Sequence, residues 1–477
     1  MNNHTASLPH PPMVPGYPLI GNLIDFSRDP EVLFARGQEL FGNIFTINLG
    51  LKKAVVLIGA DNAEFYFKNT DSILSLNKAY SAFENLFGKD FMFTASEEEY
   101  KKQKKCMLPA FKGKNLKVYA ESMVVEMQQW IAELGNEGTI DLPEAMEKLT
   151  MSIAARAFFG AKFRDDMDNG FTDLYKDFSN GLDFILPHKL PLPKFRRCRA
   201  ARVKLNKMVG DIIKERCNDD PEEHTDFLQY LLAVRDEDGN PLSESMIINF
   251  ILGIVWAGHE TTAGQVGWTF IRLLQNPTYL ERVQKEIDGA FINGVPTDIK
   301  VFKSLKQLTW AIEETIRLNP SASMTLRYNT EPYNIGGYHI PADWLTISST
   351  ILGQRTELFT NPDGFDPDRF NPERAEDANH KFSITNFGGA THKCLGINFA
   401  YVEMQVVLAV MFYNYELELL DADPQINKAS GAHRPKSPCR LRYKKRIPQK
   451  VVNPKLSEIN AGDIPEGCPF HQQNKSV

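Results

Sequence analysis

The chain has 477 residues, 43% of them hydrophobic, and a formal net charge of −6. That apolar fraction supports a buried core without disulfides, and so mild a charge gives no sign of nucleic acid or any other strongly charged partner. The six cysteines, Cys106, Cys198, Cys217, Cys394, Cys439 and Cys468, are scattered with no CxxC pair, usage that suits a reducing compartment.

Residues 1–24 hold neither a charged start followed by an apolar run nor about 20 apolar residues able to span a bilayer. A soluble, cytoplasmic protein without a membrane span is expected. Residues 41–50 and 52–59 alternate β-branched residues around a Gly-containing turn, which predicts a hairpin. From about 112 to 320 the pattern is almost all helical; 116–135 and 277–291, for example, repeat apolar residues at three and four. Just before it, Tyr100-Lys-Lys-Gln-Lys104-Lys105 reads as a solvated basic helix face that also suits an acidic electron donor.

The run 245–275 is the most apolar helical stretch, and Ala257-Gly258-His259-Glu260-Thr261-Thr262 interrupts it with polar groups. Packing gives no reason for a Glu beside two Thr in a buried helix, because each polar group must find a partner or raise the free energy by a few kcal/mol. Gly258 leaves room for a ligand against the helix. A zinc-protease motif is excluded, since the second His it needs would stand at Ala263. Glu314 and Arg317 lie three apart on one predicted helical face, and alone would be an ordinary surface pair. Strands are predicted within 333–352 and 439–446.

Phe387-Gly-Gly-Ala-Thr-His-Lys-Cys394-Leu-Gly396 precedes a long predicted helix. A thiolate at a helix entrance is favoured by unpaired amide N–H groups and the positive end of the helix dipole. Gly388, Gly389 and Gly396 let backbone approach a flat ligand, and Phe387 can shield the sulfur. This is a way to present one sulfur to a metal; a buried structural cysteine is the alternative. Ala390 fits if its backbone avoids positive φ. Residues 448–477 read as a flexible tail, where Cys468 and His471 are too few to make a metal site.

The cysteine loop resembles the Phe-x-x-Gly-x-Arg-x-Cys-x-Gly signature of cytochromes P-450, departing from it at Ala390 and His392, and the likeness runs from Pro15 to Arg446. The resemblance implies one catalytic domain over 1–447, mainly α with a small β region. In it, haem b lies between the long oxygen-activating helix and the cysteine-loop helix. It implies Cys394 as iron ligand, with Phe387 and Gly396 around it. Tyr100, Lys104, Arg327 and His392 would hold the haem propionates, since Arg is their natural bidentate partner. Thr261 would act at the oxygen site, with Glu260 relaying protons from solvent. Glu314, Arg317 and Arg369 of Phe365–Phe370 would form a buried brace. The reaction the resemblance implies is a monooxygenation using O2 and electrons from NAD(P)H, through ferredoxin and its reductase or a flavin reductase.

Sterol 14α-demethylases are the nearest subgroup in motifs. Residues 190–201 resemble a Leu-Pro-Leu-Pro-x-Phe-Arg-Arg segment of theirs, and Tyr80, Phe83, Phe87 and Gly88 follow their substrate loop. Asn85, Thr94 and Glu260 depart from the pattern. A sterol or polycyclic terpenoid would face Tyr80, Phe83, Phe87, Ile254, Ala257, Ala322, Ser323, Met324 and Thr325, mostly apolar as a lipid pocket should be. The alternatives are a fatty-acid or xenobiotic hydroxylase and, in another class, a haem-binding sensor or carrier. Glu260 beside Thr261 speaks against the carrier.

Overall fold

A computed structural model describes residues 8–167, 169–183, 188–427 and 432–446. The predicted tail, with Cys468 and His471, lies outside the described residues. Six helices frame the core: α1 (Glu97–Met107), α2 (Gly113–Leu134), α3 (Leu142–Phe159), α4 (Glu244–Gln275), α5 (Lys306–Leu318) and α6 (Ile397–Asn414). Helix α4 is capped by Ser243, whose hydroxyl accepts from Met246 N at 3.2 Å, and its 32 residues run about 48 Å. Every residue from Thr262 to Ile271 is buried, as is every residue from Val402 to Phe412 of α6. Helices buried all round belong at the centre of a core, and α4 packs there against α3, α5 and α6.

The main sheet has the order β1 (Ile44–Asn48), β2 (Lys53–Leu57), β5 (Leu345–Ser349), β4 (Met324–Asn329) and β3 (Leu74–Ser75). The predicted hairpin is β1 and β2, paired antiparallel with Ile44 opposite Leu57. Strand β2 runs parallel to β5, and Arg327 of β4 stands opposite Thr346. Through Ser75 opposite Tyr328, the sheet brings residues 70–80 beside β4.

Two expectations are corrected. Inside the stretch read as helical, Glu137–Asp141 is a strand, and its partner Arg440–Lys445 lies some 300 residues away, with Ile140 opposite Leu441. The predicted strand run 333–352 ends in a helical turn, Thr350–Gly353. Among the described residues no helix is long and apolar enough to cross a membrane.

Candidate active site

The cysteine loop folds on itself. Cys394 N donates to Phe387 O at 2.8 Å and Gly388 N to Thr385 O at 2.8 Å. Gly388 has φ +70, where a Cβ would also meet His392 O at 2.7 Å; a Cβ on Gly389 would strike the Phe67 and Phe382 rings at 2.9 and 2.8 Å. Both positions therefore require glycine. Ala390 corrects the sequence reading: its φ is +48, so an alanine occupies the left-handed backbone it was expected to avoid. The strain is of order 1 kcal/mol.

Cys394 sits at the approach to α6. Its side chain keeps free surface although protein packs around the sulfur. Burial pushes the thiol up, while the amide N–H groups of Gly396 and Ile397, hydrogen-bonded to the sulfur, and the Lys393 ammonium pull it down. The Phe387 ring lies 5.5 Å from that of Tyr401.

On α4, Ala257 is exposed in the middle of a helix whose residues from Met246 to Leu274 are otherwise buried or half-buried. Glu260 and Thr261 are half-buried, and Thr261 Oγ1 donates to Ala257 O at 2.7 Å. A Cβ on Gly258 would meet only the Phe158 ring, at 4.0 Å. His259 turns into the protein, where burial pushes its pKa down and Nδ1 bonds Val255 O at 2.9 Å. Ser321, unnoticed in the sequence, ties α4 to the segment 322–325 by donating to Thr261 O at 3.0 Å.

Arg327 is buried, 3% exposed. Its guanidinium donates to Thr70 Oγ1 at 3.2 Å and Tyr66 OH at 3.1 Å. Among the described residues no carboxylate comes within ion-pair distance of it. Burying an unpaired guanidinium is costly, so the site calls for an anion. Tyr100 OH donates to Thr391 O at 3.2 Å, and Lys104 Nζ donates to the same carbonyl. His392 Nε2 pairs with Asp71, a partner the sequence reading missed.

Glu314, Arg317 and Arg369 lie together, all fully buried. Arg317 holds Glu314 through two bonds of 2.8 and 2.9 Å, and Arg369 reaches the same carboxylate at 3.0 Å. Glu376 adds a second carboxylate to Arg369, at 2.6 Å. Gln354 joins this brace to the cysteine loop: its amide donates to Arg317 O, and its carbonyl accepts from Thr385 N at 2.8 Å. Single residues such as Glu376 and Gln354 carry no motif, so only contacts reveal them.

The proposed substrate residues divide. Tyr80, Ile254, Ala322, Ser323, Met324 and Thr325 are half-buried, leaving surface free. Phe83 and Phe87 are buried in an aromatic cluster: Phe83 packs edge-on against Trp256 at 5.0 Å, and Phe87 lies 4.5 Å from Phe91 and 5.5 Å from Phe178. They support the wall from behind, and Trp256, missed in the sequence, is part of it.

These residues fit a haem. A sulfur with two amide donors keeps free surface, Ala257 is exposed in the middle of α4, and a buried cation has no carboxylate partner among the described residues. Cys394 would hold the iron, and Arg327 with Lys104 and Tyr100 the propionate edge.

Comparisons with known proteins agree. The cytochrome P-450 family model matches residues 11–442. The chain is 30% identical over 436 residues to the sterol 14α-demethylase of Mycolicibacterium vanbaalenii, covering 90% of this chain and 96% of that one. It is 29% identical to the sterol 14-demethylase of Arabidopsis thaliana, covering 91% of each. The structure of a retinoic acid-bound cyanobacterial CYP120A1 superposes with a TM-score of 0.83 at 27% identity, covering 92% of this chain and 100% of that one. The chain belongs to the cytochrome P-450 family and is a haem-dependent monooxygenase that uses O2 and electrons from a redox partner.

Proposed function

We propose that this monooxygenase oxidises a sterol or a polycyclic terpenoid of similar size, in the manner of a sterol 14α-demethylase. One observation carries the substrate class: a rigid aromatic wall in which the half-buried Tyr80, Phe93 and Trp256 pack on the buried Phe83 behind them, with ring separations of 5.0 to 6.3 Å. A stiff wall gains most from a flat, stiff ligand, which loses little conformational entropy on binding. The names of the relatives point the same way. Haem b is the cofactor, reduced from NAD(P)H through a ferredoxin system or a flavin reductase, and residues 1–447 act as one catalytic unit in the cytoplasm.

When bound, the haem iron with its thiolate ligand supplies the oxygen activation. The chain's own residues do the rest. Arg327 takes the anionic edge and fixes its orientation. Gly396 and Ile397 N–H groups share the sulfur's charge. Thr261, whose proton rests on Ala257 O, turns to offer its hydroxyl to the cleft, and Glu260, one residue before it, replenishes that proton from solvent. His259 stays neutral and structural, since burial lowers its pKa and its Nδ1 proton serves a backbone carbonyl. Ala322, Ser323 and Thr325 leave room for a bulkier or oxygenated end of the ligand.

Burying several hundred Å² of sterol surface at about 25 cal/mol per Å² gives micromolar or tighter binding after association costs. Titrating the purified haem protein with sterols, terpenoids and long-chain fatty acids, while following the spin-state absorption, tests the reading. A shift with a 14α-methyl sterol, weakened in Phe83→Ala, supports it. A shift with fatty acids and none with sterols replaces it with a fatty-acid hydroxylase.

A further inference from the structure

The segment 66–71 sorts its polar groups in an unexpected way. Tyr66 and Thr70 turn their hydroxyls to Arg327, at 3.1 and 3.2 Å. The one carboxylate of the segment, Asp71, turns instead to His392. Both side chains of that pair are largely buried, 8% and 14% exposed, and the Tyr100 ring lies over the imidazole at 4.2 Å. Asp71 is held in left-handed backbone, φ +72, with its N–H on Leu74 O at 2.8 Å. The carboxylate is thus committed to the cysteine loop, and the buried guanidinium, bonded to two hydroxyls and the Leu326 carbonyl, has no carboxylate partner among the described residues.

We propose that Asp71 is a positioning residue for the cofactor. It anchors the cysteine loop through His392, takes that imidazole's Nε2 away from the haem edge, and leaves Arg327 and Lys104 to hold the propionates. The inference rests on haem being bound at Cys394. Two consequences follow. The anchor holds the loop closed over the cofactor, so its loss speeds haem release. The carboxylate also places a negative charge against His392, two residues before Cys394, which would disfavour the more electron-rich reduced state of an iron held there.

Asp71→Asn is the informative variant, because Asn tolerates left-handed backbone and keeps the shape. It is made in full-length holoenzyme, alone and in an His392→Gln background, with Asp71→Glu as the conservative control. The thiolate band of the reduced carbon monoxide form shows first that haem and Cys394 are in place. If that band is absent from wild type, the haem-thiolate reading itself fails. With the band intact, Asp71→Asn should release haem to an acceptor protein about 10-fold faster, the size typical of losing an outer-shell partner, and its midpoint potential should move upward. Asp71→Glu should keep the potential, and Asp71→Asn should add little to haem loss when His392 is already Gln. Unchanged haem loss and potential in Asp71→Asn would overturn the proposal. So would an equal effect on haem loss in both backgrounds, which would mean that Asp71 does not act through His392. Should Asp71→Asn fail to take up haem, His392→Gln alone decides: faster haem loss supports the anchor, and wild-type retention overturns it.

Discussion

Ala390 shows how much one backbone angle decides in this site. At φ +48 its Cβ costs of order 1 kcal/mol, and the loop accepts the cost because Gly388, Gly389 and the Cys394 N–H bond to Phe387 O fix the turn on either side. Ala390→Gly should therefore raise stability by up to about 1 kcal/mol, less the entropy glycine brings to the unfolded chain, read by thermal unfolding of the holoenzyme. A substantial loss would mean the methyl is needed for packing. Thr261 is the residue where structure and turnover separate. Among the described residues its hydroxyl bonds only a helical carbonyl, so Thr261→Ala should keep the haem spectrum while product per reduced nicotinamide falls by about an order of magnitude, with peroxide or water making up the balance. Unchanged coupling would remove Thr261 from the proton path.

Between elements, the two central helices are joined by a buried acid. Glu403 of α6 is 1% exposed, and burial pushes its carboxyl well up, against the pull of the Thr262 hydroxyl of α4. The native state thus keeps a proton that the unfolded chain sheds above the ordinary carboxylate range. Its contribution to stability is complete below that range and is lost as pH rises toward the raised native value. Glu403→Gln cannot ionise, so the variant should gain on wild type as pH rises above the ordinary carboxylate range in denaturant unfolding; parallel pH profiles would show the carboxyl to be ionised when folded. The brace of Glu314, Arg317 and Arg369 follows the opposite logic. Its charges are fully paired in the core, so removing one partner strands the others at a cost of about 3–5 kcal/mol.

At the scale of the molecule, what could be read from the sequence followed local pattern. The hairpin β1–β2, the long helix α4 and the cysteine loop each carry their signal within a few tens of residues, by alternation, apolar period or glycine spacing. The sheet order could not be read this way, because β2 pairs with β5 nearly 300 residues on. The strand Glu137–Asp141 was hidden for the same reason: its partner lies near the far end of the chain. Site residues divide likewise. Cys394, Glu260, Thr261 and Arg327 sit in motifs, whereas Asp71, Tyr66, Gln354 and Trp256 gain meaning only from the neighbours the fold supplies.

Everything argued for the site depends on one bond, from Cys394 to iron. The reduced carbon monoxide complex measures it: wild type should absorb where thiolate-ligated haem does, and Cys394→His should lose that band while other cysteine variants keep it. A thiolate band that survives in Cys394→His would contradict the account.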